Sequence, residues 1–172
     1  MILYDEIHEQ PEVIRRMLKE ETGNIEAIVR ELLAPRSNRS KFNYLLIAAR
    51  GTSDNAARYA QYLFGMRNRL QVALATPSLF TLYNRPPNLS GALVAGISQS
   101  GQAPDILAVV EEGNRQGSPT LSITNIPNNP LSEASQYRIH MHAGLERATA
   151  ATKTYTASLA ALALISAMFE ED

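Results

Sequence analysis

The 172-residue chain has no cysteine. Disulfide frameworks, thiolate nucleophiles and thiolate metal sites are all excluded by that absence. Its three histidines stand without a spaced carboxylate cluster and give no metal-ligand pattern. Neither sign of charge is in excess. The 16 basic and 17 acidic residues leave a net charge of −1, and the basic ones form no patch that would attract nucleic acid. Long apolar runs are missing too: residues 157–169 give 13 positions interrupted by Ser158 and Ser166, short of the roughly 20 that a membrane-spanning helix needs. The first residues, Met-Ile-Leu-Tyr-Asp-Glu-Ile-His-Glu, lack the basic and apolar regions of a signal peptide. A cytoplasmic protein without membrane contact is the expectation, and any catalysis must run on oxygen and nitrogen groups.

What is present suits one domain with a proper core. Helical patterns over residues 11–20 and 24–33, ended by the loop 34–38, form an N-terminal helical segment assigned to residues 1–42. From Tyr44 the chain repeats a short apolar strand, a polar turn and a helix. The strand candidates are 44–49, 71–75, 92–97, 120–124 and 137–141. Between them Ala56, Ala60, Leu63 and Phe64 form one apolar stripe at helical spacing, and Ala103, Ile106, Leu107 and Val110 form another. Unalternated apolar strands separated by amphipathic helices indicate a parallel sheet covered on both faces. The expected fold is therefore an α/β, three-layer αβα sandwich with a five-stranded parallel sheet over residues 43–172, preceded by N-terminal helices. Ligands of such folds sit beyond the carboxyl ends of the strands.

Two polar loops fall at those ends. Ser98-Gln99-Ser100-Gly101-Gln102 follows the third strand and precedes a helix, and Arg50-Gly51-Thr52-Ser53-Asp54 follows the first. Small residues let the backbone approach an anion, Ser and Gln add donors, and a helix start directs unpaired N–H groups at the same spot. Each loop taken alone also reads as a βα turn with a helix cap. Thr76 and Ser78 fit a turn, and 123–131 reads as a rigid loop closing one wall of the crevice. Gly144-Leu145-Glu146-Arg147-Ala148-Thr149-Ala150-Ala151-Thr152-Lys153-Thr154 leads from the fifth strand into the last helix, with Thr152 and Lys153 as its strong donors.

Gly51-Thr52-Ser53, Ser98-Gln99-Ser100-Gly101 with Asp105, and Gly144 through Glu146 to Ala150-Ala151-Thr152-Lys153, in this order and spacing, resemble the sugar isomerase (SIS) domain. The likeness covers about 130 residues, from Tyr44 to the end. It is greatest to the first SIS domain in the isomerase half of glutamine-fructose-6-phosphate aminotransferase and to related amino-sugar-phosphate deaminases. The resemblance implies a flavodoxin-like sandwich, a phosphorylated sugar of the fructose 6-phosphate or glucosamine 6-phosphate class, dimerisation and no cofactor. It assigns Ser98, Gln99 and Ser100 to the phosphate and makes Ser53 a second donor. Gly51, Thr52, Gly101, Thr152 and Lys153 complete the implied substrate-binding set. Ala103 stands where the aminotransferases carry Thr, and Ala151 where they carry Ser, so two hydroxyl donors are absent.

Isomerisation needs a carboxylate poised near neutral pH. Glu146 is the weak candidate, and a charge favoured at a helix start is its alternative reading. Asp54 and Asp105 read as first-turn charges, and Lys153 as either a phosphate ligand or an ion-pair partner. His140 and His142 share one strand face with no carboxylate partner evident, which points to structural roles. The resembling enzymes carry their acid/base residues on a second SIS domain that this sequence does not match, and the ending 169–172 has the look of a domain boundary. The last helix is apolar almost all round, so it lies at the centre of its own domain or packs on a partner, the latter being the favoured expectation. Two functions stay open: half of a sugar-phosphate isomerising unit, completed by a second SIS domain or a homodimer partner, and a non-catalytic sugar-phosphate-sensing module.

Overall fold

The computed structural model describes residues 2–34 and 42–169. Five strands form one parallel sheet: β1 (Tyr44–Ala49), β2 (Gln71–Leu74), β3 (Ala92–Ser98), β4 (Thr120–Thr124) and β5 (Tyr137–His140). Their order is β2-β1-β3-β4-β5. Every residue of β3 and β4 is buried, as unalternated apolar strands covered on both faces require. The connections leave β1 in opposite directions, so the crevice of the switch point opens over the carboxyl ends of β1 and β3.

Helices cover both faces. On one lie α1 (Ile2–Leu33), α2 (Thr52–Arg67) and α6 (Lys153–Met168); on the other lie the short α3 (Ser78–Thr81), α4 (Pro104–Arg115) and α5 (Pro130–Ala134). Leu45, Ile47, Leu93, Ala95 and Ile97 face the first group, while Leu46, Ala48 and Val94 face α4 and α5. The parallel sandwich and its five strands match the sequence expectation, with strand limits within one residue. Among the described residues no helix is long and apolar enough to cross a membrane.

The N-terminal region differs. A single helix runs from Ile2 to Leu33, without a break between the two expected segments and with Pro11 inside it. Pro11 is exposed, so the carbonyl that it cannot serve faces solvent. Val13, Met17, Ile25, Ile28, Val29 and Leu32 recur at helical spacing and are buried, and this continuous apolar face holds the helix together across Gly23. Of the expected loop 34–38, residues 35–38 lie outside the described residues.

That same face resolves the last helix. α6 packs between α1 and α2, and from Lys153 to Met168 only Ala167 is exposed. Phe169 at its end packs on Phe42 and Phe64 at ring-centroid distances of 5.9 Å. Much of the cover that its apolar surface demands therefore comes from α1 of the same chain, and that surface does not by itself require a partner.

Candidate functional site

The first wall is the start of α2. Gly51 has φ +56° and ψ −128°, and its carbonyl accepts from Asp54 N at 3.1 Å. This turn leaves Thr52 and Ser53 half-buried in the first helical turn, beside the end of β1. Asp54 pairs with Arg58 at 3.1 Å.

The second wall is the turn after β3. Ser98 is buried, and its Oγ accepts from Gly101 N at 3.1 Å; Ser100 Oγ accepts from Gln102 N at 3.3 Å. The Gln99 and Ser100 amides find no acceptor among the described residues. Gly101 has φ +66°, and a Cβ on it would lie 1.8 Å from Asn129 Oδ1, so no other residue fits. Asn129 is buried, donates to Thr124 Oγ1 at 3.0 Å and caps α5 by accepting from Ser132 N at 2.9 Å. The Ser98 and Ser100 hydroxyls thus both accept from amides of the turn, and Gln99 and Ser100 present open amides in the turn that leads to α4.

The third wall is the start of α6. Thr52, Ser53, Gln99, Met141, Ala151, Thr154, Tyr155 and Ser158 line one solvent-open cleft with an empty volume of about 210 Å³. Its lining holds no charged side chain. Thr52, Ser53 and Gln99 of the predicted set meet there; Ala151 and Thr154 represent the last stretch in place of Thr152 and Lys153.

Lys153 is turned away. It is 3 % exposed, and its Nζ lies 2.6 Å from Glu9 Oε2 and 3.9 Å from Glu6 Oε1, both on α1. Glu146 caps α6: Oε1 accepts from Thr152 N at 2.6 Å, Lys153 N at 3.0 Å and Thr152 Oγ1 at 3.1 Å, and Oε2 accepts from the Thr154 hydroxyl. Of its two sequence readings, the helix-start charge is the one the geometry shows. Thr76 and Ser78 sit at the start of α3, outside the cleft lining.

Sequence reasoning missed three groups. Asn125, buried just past β4, ties the loops together: its N donates to Gln99 O at 3.0 Å, its Nδ2 to Gly144 O at 2.7 Å, and its Oδ1 accepts from Ala143 N at 2.8 Å. An Asn at the carboxyl end of an apolar strand was the available signal. His142 does have a carboxylate partner, Glu21 Oε1 at 2.8 Å, supplied by α1. Its ring stacks edge-on with His140 at 4.2 Å, and His140 Nε2 meets Asn125 O at 2.6 Å. Burial pushes the His140 imidazole below the usual histidine range, aided by His142 and opposed by the Asn125 carbonyl and Glu21. Glu6, itself buried, accepts from the amides of Arg147 at 2.6 Å and Ala148 at 3.1 Å.

Comparison with known proteins places this geometry. The SIS domain family model matches residues 40–168. The isomerizing glutamine–fructose-6-phosphate aminotransferase of Geobacillus kaustophilus HTA426 is 36% identical over 168 residues, covering 94% of this chain and 27% of that protein. The chain thus spans about a quarter of the length of the curated relatives it matches. Among solved structures, a protein of Silicibacter pomeroyi DSS-3 provisionally assigned as a phosphosugar isomerase superposes with a TM-score of 0.87 at 32% identity, over 98% of this chain and 50% of that one. The C-terminal domain of glucosamine-fructose-6-phosphate aminotransferase from Francisella tularensis gives 0.84 at 27% identity, over 99% and 48%.

Proposed function

This chain belongs to the SIS domain family, and on that premise we propose that it binds a phosphorylated sugar of the fructose 6-phosphate or glucosamine 6-phosphate class as part of an amino-sugar-phosphate aminotransferase, deaminase or isomerase. The phosphate rests on the Gln99 and Ser100 amides with the hydroxyls of Ser100, Ser53 and Thr52, and the sugar extends toward Ala151 and Thr154. One observation carries this reading: Thr52, Ser53 and Gln99, from loops 46 residues apart in sequence, line the same cleft at the switch point. Residues 43–172 are taken as the sugar-phosphate-binding domain and 1–42 as its N-terminal helical segment, in a cytoplasmic protein.

Moving a proton between adjacent sugar carbons needs a base and a way to hold the enediolate charge. The cleft lining offers hydroxyls, an amide and apolar groups, so this chain's share is to bind and orient. A second SIS domain, in the same polypeptide or in a homodimer partner, supplies the proton-transfer group. The uncharged lining also favours a second reading, a module that senses the sugar phosphate without turning it over.

The test is a thermal-unfolding titration. At 100 times Kd a ligand adds about 2.7 kcal/mol, worth roughly 5–10 °C for a chain of this size. Fructose 6-phosphate is expected to raise Tm, unphosphorylated fructose is not, and the pair Ser53→Ala and Ser100→Ala is expected to abolish the rise. An unchanged Tm at about 10 mM fructose 6-phosphate, below which even a millimolar Kd would register, removes the proposal. Incubation in heavy water separates the two readings: deuterium entering the sugar only after a second SIS domain is supplied marks the isomerising unit, and none under either condition marks the sensor.

A further inference from the structure

A phosphate dianion placed on open amides lacks a counter-charge. The cleft lining is neutral, and Lys153 is buried against Glu9 and Glu6. Arg58, paired with Asp54, lies six residues beyond the start of α2 and outside the cleft lining. Of the arginines beside the two βα loops, Arg50 stands in the loop itself, directly before Gly51. Its neighbour Ala49 pairs in register with Ile97, so Arg50 follows β1 at the level of Ser98, the last residue of β3. Its Nη1 donates to Asp105 Oδ2 at 3.1 Å, and Asp105 lies in the first turn of α4. The ion pair therefore spans from the Gly51 loop to the helix that follows the Ser98–Gly101 turn.

We propose that Arg50 is the phosphate-binding cation of this site and that Asp105 is its positioning residue. The inference rests on the sugar-phosphate reading above and adds a residue to it. The Arg50 side chain is 70% exposed, and its Nε and Nη2 donate to no group among the described residues. A guanidinium held at one nitrogen keeps a fork of donors that matches two phosphate oxygens. Asp105 is 20% exposed, its Oδ1 is buried and unpartnered, and its Oδ2 ties the guanidinium to the first turn of α4. An ion pair with so exposed an arginine contributes little to stability, so orienting the arginine is the role left for it.

Isothermal titration of the full chain with fructose 6-phosphate and with inorganic phosphate tests this. Arg50→Gln is expected to raise Kd for both about 10- to 100-fold, the range for hydrogen bonds to charged groups, with ligand-free Tm unchanged within about 2 °C. The dependence of Kd on salt becomes shallower, because one charge contact is lost. Arg50→Lys keeps the charge but loses the fork and is expected to fall between; it also decides the matter should Arg50→Gln fail to fold. Asp105→Asn is expected to weaken binding less than Arg50→Gln, about three- to tenfold. A wild-type chain that binds fructose 6-phosphate alongside variants within twofold of its Kd overturns the role of Arg50 and leaves the sugar-phosphate reading standing. A wild-type chain that binds neither probe overturns both.

Discussion

Replacing Gly101 by alanine probes the cradle through its backbone. The residue has φ +66°, where an L side chain is strained by about 1–2 kcal/mol. The new Cβ would also meet Asn129 Oδ1 at 1.8 Å and Cγ at 2.1 Å. Asn129 is 2% exposed and cannot swing into solvent without giving up its bonds to Thr124, Ile126 and Ser132. Overpacking a filled site costs about 1–3 kcal/mol. The two together give about 2–5 kcal/mol, or roughly 5–20 °C in Tm for a chain of this length. Gly117 (φ +77°) and Gly144 (φ +68°) are internal controls, since a Cβ on either meets nothing within 4 Å. Their alanine variants carry the strain alone, about 1–2 kcal/mol and 2–8 °C. Calorimetry of the three variants, with Asn129→Ala and the Gly101→Ala/Asn129→Ala double mutant, reads the coupling: removing Asn129 relieves the clash, so the double mutant is expected to be less destabilised than the sum of the singles. Equal losses for Gly101→Ala and Gly117→Ala, or strict additivity with Asn129→Ala, would refute the packing argument.

Glu146→Ala removes the cap that binds two amides and two hydroxyls at the head of α6. It is expected to cost about 2 kcal/mol and 4–8 °C in Tm, whereas a loss under 1 °C would mean the carboxylate has no structural role. Lys153→Met leaves Glu6 buried without its cation; with Glu9 half in solvent the cost is about 2 kcal/mol, and the fructose 6-phosphate Kd is expected to stay within threefold. A tenfold rise in that Kd would put the ammonium in the phosphate site. His140 is held below its ordinary pKa chiefly by burial, so the unfolded chain binds its proton more readily, and stability falls as pH drops below about 6.5. The groups facing it are His142, Glu21 and the Asn125 carbonyl. His140→Asn is expected to flatten the stability profile between about pH 7 and 5, and an unchanged slope in urea titrations would remove His140 as its source.

The fold was legible because its signals are local. Five apolar strands and two helical stripes carry their own periodicity, and the observed limits differ by at most one residue. The positions of Thr52, Ser53 and Gln99 followed as well, since a parallel sheet brings βα loops to one edge whatever the side chains do. The bonds that individual donors make within the protein did not follow. Ser98 reads as a ligand donor in sequence, and its hydroxyl also accepts the Gly101 amide; the positive φ of Gly101 that permits this contact belongs to the turn and is not visible in residue type. Asn125 and Asn129 look like ordinary turn residues, and their bonds to neighbouring loops exist only once β3, β4 and β5 lie side by side.

The remaining differences share one source, α1. Glu6 meets the Arg147 and Ala148 amides 141 and 142 residues away, Glu9 meets Lys153 across 144, Glu21 meets His142 across 121, and Arg16 donates twice to the His142 carbonyl. No window of the sequence contains both partners of any of these pairs. Burial of Val13, Met17 and Ile25 attracts α1 to the sheet but fixes neither its register nor its rotation, because apolar contact is non-directional. The carboxylates do fix it: two backbone amides and one buried ammonium admit a single placement of Glu6 and Glu9. The segment so clamped runs on into Ala151 and Thr154, which wall the cleft. A helix that bears none of the motifs of the proposed phosphate site therefore holds one wall of the cleft, and substitutions at Glu6 or Glu21 are expected to change sugar-phosphate affinity, read as Kd, without touching the ligand.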